Sequence, residues 1–338
     1  MMRTVVTAME YELQGLQSKW TKQIPDAREL AIAQRCALEK YTANQSNSVQ
    51  RKLQELLQQQ QILLASLQTA ILRNSLHSSG RDIFKELHFD TRLGYDEEER
   101  EKMLIAHSNR SLTTIPSIVE KFSQMAIDKE LAKQKKADRT GRSLMPLSQI
   151  DVTGCEDHTL VSSVFVSEIP HSSFEDVHAA TMACFETIPS WMKHHFGIEA
   201  TLKRLNSVEA SPAYLQLNFD GAGLPATVNQ VVCSNLTPCR GTIYMDVIKE
   251  DALYPVSTAN SMQYGISALT TTPVCEPNTG DTIAVTLRWI AVYRYKLLPD
   301  DPALQDDLEI IRPILNGDLI TSVICSFLQE NCSQTSQK

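Results

Sequence analysis

The sequence predicts an α+β protein, in which a curved antiparallel sheet is closed by a long C-terminal helix and preceded by an N-terminal helical arm. Three observations predict this fold class. Apolar residues before position 78 recur at alternating spacings of four and three, as in a coiled coil. Apolar and polar residues alternate in short segments between residues 198 and 296, as in antiparallel strands. The last helical segment has a wide apolar face that needs a covering surface.

Composition favours a globular protein inside the cell. Of the 338 residues, 42% are hydrophobic and 21% are charged, which is ordinary for a folded chain. Residues 1–7 contain one arginine and no apolar stretch long enough for a signal peptide. We therefore expect an intracellular location, in the cytoplasm or the nucleus, with the eight cysteines reduced.

Charge is distributed unevenly along the chain. Residues 1–142 hold 22 Lys and Arg against 18 Asp and Glu, whereas residues 143–338 hold 10 against 22. Because nucleic acids present negative phosphates, we do not expect the acidic C-terminal half to bind them.

Residues 1–78 are predicted to be a coiled-coil region. Its heptad pattern predicts association with a second copy or with a related coiled-coil protein. The alternative is an amphipathic helix that lies against the chain's own globular domain. The seam residues are Val49, Leu53, Leu56, Leu63 and Leu67.

Residues 79–128 are predicted to form a helical segment, and residues 129–149 a basic linker. Asp96 begins the first long helix of this segment with a capping box, and Pro116 is expected to lie at the start of the next. The lysine-rich stretch that follows lacks apolar periodicity. It is interpreted as a solvated linker, with a nuclear-import or nucleic-acid patch as the alternative.

Residues 150–330 are predicted to form the α+β domain. A strand and a capped helix precede six short segments that are bounded by turn residues. In the last segment Trp289 and Tyr293 share one face, while Arg288 and Arg294 lie on the other. This alternation predicts strands with one buried face and one face in contact with water.

A long helix is predicted to end the domain, followed by a disordered tail at residues 331–338. Asp301 should cap the helix, Pro302 occupies its first position, and Pro313 should kink it. Its apolar side is expected to lie in the hollow of the sheet, a helix-grip arrangement that often encloses a ligand cavity. Charged residues interrupt its apolar stretch, so no membrane span is expected.

The sequence offers no catalytic or metal-binding constellation. The histidines near the 172–188 helix lack the i, i+4 pairing with a carboxylate that a metal site needs. No nucleophile elbow is present. We therefore predict a protein that is not an enzyme and that needs no metal and no cofactor.

Apolar residues on the inward faces of the strands and of the last helix are the candidates for a ligand cavity. Methionine and tryptophan together suit an adaptable apolar pocket. The alternative is that the same residues fill a core. The candidates are Leu217, Phe219, Met245, Leu287, Trp289, Tyr293 and Ile324.

Three parts of the sequence resemble a known family. They are RDIFKELHFDTRLGYDEEEREKMLIAHSNRSLTTIPSIVEKFSQMAI, SSVFVSEIPHSSFEDVHAATMACFETIPSWM, and the closing strand and helix. Together they resemble an oomycete family whose members are often labelled mating-specific proteins. Its members join a leucine-zipper-like coiled coil to a START-like domain. The resemblance covers nearly the whole chain and rests on overall pattern.

The resemblance implies a START-like helix-grip domain that holds an apolar, lipid-like ligand, and a coiled coil that mediates association. Relatives often begin with a basic region ahead of the zipper, whereas here only Arg3 precedes Met9. Direct DNA binding is therefore not expected. The first alternative is a heterodimerising partner of bZIP-type transcription factors. The second is an enzyme that uses the cavity as its active site.

Overall fold

The structure, a computed structural model, describes most of the chain. By contact it divides into two compact units, residues 1–60 and residues 61–338. The described residues are Lys19, Lys22 and the ranges 27–71, 79–136, 145–207, 211–220, 227–256, 262–276 and 278–335.

Helix α1 (Ala27–Ile71) supplies most of the described residues of the first unit. The predicted seam residues Val49, Leu53, Leu56 and Leu63 lie on this helix with side chains that are 53%, 61%, 56% and 62% exposed. The Leu67 side chain lies outside the described part of the chain. The sequence therefore predicted helix correctly here, while pairing with another helix stays a prediction.

The second unit contains six further helices in the described part of the chain. They are α2 (Ser79–Leu87), α3 (Glu97–Lys136), α4 (Phe174–Glu186), α5 (Ile188–Phe196), α6 (Pro302–Leu315) and α7 (Asp318–Thr335).

An antiparallel sheet forms the centre of the second unit. Its strands lie in the order β2-β3-β10-β9-β7-β6-β5-β4, and a separate parallel pair joins β1 to β8. The strands are β1 (Arg92–Leu93), β2 (Leu147–Gly154), β3 (Thr159–Pro170), β4 (Glu199–Arg204), β5 (Ala213–Asp220), β6 (Thr227–Thr237), β7 (Arg240–Val247), β8 (Glu250–Asp251), β9 (Met262–Cys275) and β10 (Thr282–Tyr295).

The order of the strands brings the two ends of the domain together. Strand β3 pairs with β10 along its whole length, with Phe165 opposite Trp289. Helices α4 and α5 connect β3 to β4 at the far edge of the sheet. The predicted combination of an antiparallel sheet with helices, including a C-terminal one, is confirmed.

One face of the sheet, which we call the inner face, packs against α4 and α7. Its core includes Leu269 and Leu287 from the strands, Val177 from α4 and Ile320 and Ile324 from α7. These side chains are at most 2% exposed. Burial of this kind stabilises a fold by roughly 1.5–3 kcal/mol for each large aliphatic side chain. The C-terminal segment therefore covers the sheet, as the sequence predicted.

The other face, which we call the outer face, is covered as well. Helix α3 packs on it with Ile115 and Val119, both 0% exposed. Ile290 and Val292, which alternate with the inner-face residues of β10, are also 0% exposed. The prediction of a face in contact with water was therefore wrong, because a single strand's alternation does not reveal which other element covers its second face.

Arg288 shows how the outer face accommodates charge. Its side chain is 18% exposed and forms an ion pair with Glu120 of α3. It also donates a hydrogen bond to Ser123 Oγ at 3.3 Å. The arginine that was expected to face water instead lies between the sheet and α3.

Helix α3 is one continuous helix of 40 residues, with Pro116 in its interior. The predicted break at this position was wrong. A proline inside a helix weakens it, but Ile115, Val119 and Phe122 around it are buried against the sheet. The helix extends to Lys136 and β2 begins at Leu147, so regular structure enters the predicted linker from both ends.

The C-terminal helix is divided in two. Asp301 accepts a hydrogen bond from Ala303 N at 2.9 Å, and Pro302 is the first helical residue, as predicted. Pro313 lies inside α6, but the break follows it at Gly317, whose φ is +80°. Helix α7 then continues to Thr335, into the predicted tail.

By length and composition, Pro302–Gln329 is the one stretch in the described part of the chain that could cross a membrane. The turn at Gly317 interrupts it. Leu308, Ile311 and Ile320 within it are at most 2% exposed because they pack in the core. Packing in the core therefore explains part of its hydrophobicity, since 33% of the apolar window is buried.

Candidate ligand-binding cavity

A cavity lies between the inner face of the sheet and helices α4 to α7. Its volume is about 130 Å³. An engineered cavity of about 150 Å³ binds benzene, whereas one water molecule occupies about 30 Å³. Pockets for drug-sized ligands are larger, at roughly 300–1,000 Å³. The cavity can therefore hold one small molecule or one end of a longer one.

The wall of the cavity is formed about equally by strands and helices. The strands supply Leu217, Phe219, Val228, Gln230, Met245, Met262, Gln263, Gly265, Ser267, Trp289 and Tyr293. The helices supply Cys184, Phe185, Ile188, Trp191, Met192, Phe196, Ile310, Ile311, Ile314, Leu319 and Ile320.

Strand β9 contacts the two aromatic side chains of β10 that line the cavity. Trp289 Nε1 donates a hydrogen bond to Ser267 Oγ at 2.5 Å. Tyr293 stands opposite Gly265 in the ladder, and a Cβ atom on Gly265 would lie 3.2 Å from Tyr293 Cε1. Because glycine has no side chain, the phenol ring can approach the β9 backbone closely.

Helix α5 closes the side of the cavity next to the edge strands. Its apolar residues Ile188, Trp191 and Met192 face inward together because helical residues three and four apart share a face. Trp191 Nε1 donates to the backbone oxygen of Cys184 at 2.8 Å. Gly197 ends the helix with a φ of +66°, so the chain can turn directly into β4.

Among the described residues, none that lines the cavity carries a side-chain charge at neutral pH. Burial raises the pKa of the Cys184 thiol to about 12. Burial likewise raises the pKa of the Tyr293 phenol above its ordinary value. Both groups therefore stay protonated and neutral, and neither can act as a nucleophile or a base at that pH.

Five of the predicted cavity residues line the cavity together: Leu217, Phe219, Met245, Trp289 and Tyr293. They come from β5, β7 and β10, which are separated in sequence but lie in one sheet. Strand alternation was enough to identify them, because it decides which side chains point to the inner face.

Leu287 and Ile324 were predicted to line the cavity, and the structure places them elsewhere. Both are 0% exposed and belong to the packed inner core with Phe174 and Val177 of α4. They have the correct orientation but lie where α4 and α7 close onto the sheet. Alternation predicts the face of a residue, whereas its position relative to a cavity depends on where distant helices pack.

Sequence reasoning missed the α5 residues and Gln230. Ile188, Trp191 and Met192 have helical spacing, which was a usable signal. Gln230 stands between Val228 and Val232 at alternate positions of β6. A polar residue in an otherwise inward apolar series was the signal that could have indicated a polar group in the cavity.

A separate polar network lies on the outer face. Arg100 donates to both carboxylate oxygens of Asp251, at 2.7 and 2.8 Å, and the Tyr214 hydroxyl donates to the same carboxylate. Burial opposes the charged form of Asp251, but the hydrogen bonds from Arg100 and Tyr214 outweigh it and lower the pKa of this carboxyl group. The network ties α3 to β8 and has no part in the cavity.

The described residues contain no group of three or more His, Cys, Asp and Glu side chains that could hold a metal ion. His178 illustrates why the histidines near α4 do not form one. It is 7% exposed, and its Nδ1 makes no hydrogen bond with a described residue. It packs beside Gly241 of the sheet.

Comparison with known proteins gives no family assignment. No protein-family model matches the chain, and no curated protein matches it. One similar solved structure is norcoclaurine synthase from Thalictrum flavum in complex with dopamine and hydroxybenzaldehyde. It is 12% identical with a TM-score of 0.31, and the match covers 56% of this chain and 94% of that chain.

A second similar structure is a point mutant of the same enzyme in complex with a transition-state analogue. It is 11% identical with a TM-score of 0.30, and the match covers 51% of this chain and 98% of that chain. Similarity at this level does not define a family for the chain.

Proposed function

We propose that residues 61–338 form a START-like helix-grip domain that binds a small apolar molecule between the sheet and the C-terminal helices. The observation that carries this proposal is the cavity of about 130 Å³, whose wall combines aliphatic and aromatic side chains with a few uncharged polar ones. Sites for small ligands have this composition. Burial of an apolar ligand there would be favourable by roughly 25 cal/mol for each Å² removed from water.

A binding role without catalysis is supported by the same wall. An active site needs titratable groups with a pKa suited to proton transfer or nucleophilic attack. The titratable groups among the described lining residues are Cys184 and Tyr293, and burial keeps both protonated. We therefore propose that the domain carries or senses its ligand and does not transform it.

Toluene is a suitable first probe because it matches the size and polarity of the cavity. Titration of the full chain should shift the indole N–H resonance of Trp289 in a saturable manner. Met245→Trp should fill the cavity and abolish the shift. Leu236→Trp makes the same change in size at a side chain that is 43% exposed, and it should bind toluene like the wild type. The proposal fails if toluene leaves the wild-type resonance unchanged.

We further propose that helix α1 associates with a second copy of this chain. The exposed seam residues Val49, Leu53, Leu56 and Leu63 supply apolar knobs at heptad spacing, and Gln60 occupies one polar seam position. A polar seam residue often fixes register in coiled coils. Pairing with a bZIP-type partner is the alternative, and the family resemblance also stays a proposal.

Sedimentation of the full chain tests self-association. The double variant Leu56→Asp, Leu63→Asp should reduce the measured mass to that of one chain. The double variant Asn47→Asp, Gln54→Asp also introduces two acidic residues, but away from the seam, and it should keep the wild-type mass. An unchanged mass in the seam variant would exclude this helix as the association surface.

A further inference from the structure

Gln230 is a residue of the cavity wall whose side chain has an unpaired hydrogen-bonding group. It lies on β6 and is 3% exposed. Its amide nitrogen is buried and makes no hydrogen bond with any described residue. A buried polar group without a partner is unfavourable, because it has given up its hydrogen bonds to water. The described residues supply no such partner, and Gln230 is one of the residues that line the cavity.

The residues that pair with Gln230 in the sheet are apolar. In the sheet it pairs with Leu215 on β5 and with Val247 on β7, and Val228 on the same face of β6 also lines the cavity. The adjacent outer-face amide behaves differently, since Asn229 accepts from Gln216 Nε2 at 3.0 Å and donates to Tyr254 O at 2.6 Å. Of these two neighbouring amides of β6, the one on the inner face therefore lacks a partner among the described residues.

We propose, on the basis of the binding function proposed above, that Gln230 is the polar anchor of the ligand. The ligand would be a neutral molecule about the size of one substituted ring, with a hydroxyl or carbonyl group directed at Gln230. A half-turn of the side-chain amide exchanges its nitrogen and oxygen, so it can donate to a carbonyl or accept from a hydroxyl. The hydroxyl groups of Ser267 and Tyr293 lie in the same wall as further partners.

Charge excludes acids and amines from this ligand class. No described residue of the cavity wall is an Asp, Glu, Lys, Arg or His. A carboxylate or ammonium group would therefore be buried without an opposite charge, which is strongly unfavourable. The volume of about 130 Å³ limits the part of the ligand inside the cavity to about one substituted ring.

Calorimetric titration of the full chain with toluene, benzyl alcohol and benzoate tests the proposal. Gln230→Leu has nearly the same shape but no amide. It should weaken benzyl alcohol binding about tenfold, the effect of one lost hydrogen bond in a buried site, and it should not weaken toluene binding. Gln216→Leu makes the same change on the outer face and should alter neither affinity. Benzoate should bind the wild type more weakly than toluene.

The outcomes separate the anchor from the cavity itself. If toluene binds but Gln230→Leu changes both affinities by the same factor, the anchor is wrong and the binding function stands. If neither toluene nor benzyl alcohol binds the wild type, the proposed binding function is wrong, and so is the proposed role of Gln230. If benzoate binds as tightly as benzyl alcohol, the neutral ligand class is wrong. Gln230→Met, a second variant without the amide, guards against a misfolded leucine variant.

Discussion

The ring of Tyr293 lies against Gly265 across the β9–β10 ladder, and a methyl group on Gly265 would stand 3.2 Å from Tyr293 Cε1. This distance is shorter than an ordinary contact, so Gly265→Ala should push the ring towards the cavity. We expect weaker toluene binding with a small change in melting temperature, measured by calorimetry and thermal unfolding. Gly94→Ala is the control, because nothing lies within 4 Å of the methyl group it would add. Equal affinity in both variants would show that Tyr293 does not limit the cavity.

Gly317 should be difficult to replace, for two separable reasons. Its φ is +80°, and a Cβ atom would lie 2.4 Å from the Phe165 ring. The backbone conformation alone costs a side-chain-bearing residue about 1–2 kcal/mol, and a clash in a packed core adds about 1–3 kcal/mol. Gly317→Ala should therefore lower the free energy of unfolding by about 3 kcal/mol, measured with urea.

Gly280 provides the matched control for this prediction. Its φ is +76°, and nothing lies within 4 Å of the added Cβ position. Gly280→Ala should therefore show the backbone effect alone, about 1–2 kcal/mol. Equal losses of unfolding free energy in the two variants would mean that the Phe165 ring moves aside without a measurable energetic cost.

The buried ion pair of Arg100 and Asp251 should contribute to stability far more than an exposed pair. Their side chains are 8% and 0% exposed, whereas Arg92 and Glu250 form a pair at 63% and 51% exposure. Asp251→Asn should lower the free energy of unfolding by about 3–5 kcal/mol, because it leaves the arginine buried without its charged partner. Arg92→Ala should have a much smaller effect, because solvent screens an exposed pair. Chemical unfolding is the measurement. Similar losses of unfolding free energy in the two variants would contradict the prediction that the buried pair is the more stabilising one.

Acid should destabilise the domain through its buried histidines. Burial lowers the pKa of His178 and of His107 below its ordinary value. The unfolded chain therefore binds protons more readily than the folded one, and stability that is complete above a pH of about 6.5 is lost as the pH falls towards the folded-state pKa. In this range the free energy of unfolding should fall by up to about 1.4 kcal/mol per pH unit for each histidine.

His178→Gln should remove one of these contributions. Urea unfolding at a series of pH values is the measurement, and the variant should lose less stability than the wild type between about pH 6.5 and pH 5. Parallel curves for the two proteins would show that His178 takes up no proton on unfolding in this range.

The sheet and the C-terminal cap could be predicted because their signals are local. Alternation along β10 fixed which side chains share a face with Trp289, and the Asp301–Pro302 pair marked the start of α6. The cover on the outer face could not be predicted in this way. Ile290 and Val292 are buried by Ile115 and related residues of α3, which come much earlier in the chain.

The cavity was predictable in its orientation but not in its extent. Met245 and Leu287 both point to the inner face, yet one lines the cavity and the other lies in packed core. The difference depends on how closely α4 and α7 approach the sheet at each position. Gln230 could not be identified from the sequence for a similar reason. Only the assembled fold shows that its amide nitrogen has no partner among the described residues.

A crystal structure of the full chain equilibrated with iodobenzene tests the central claim most directly. The iodine atom identifies the position of the ring without ambiguity. We predict a single strong iodine peak between the sheet and α6–α7, in contact with Met245, Trp289 and Tyr293. A cavity filled by its own side chains, with iodine bound only at the molecular surface, would contradict the proposed function.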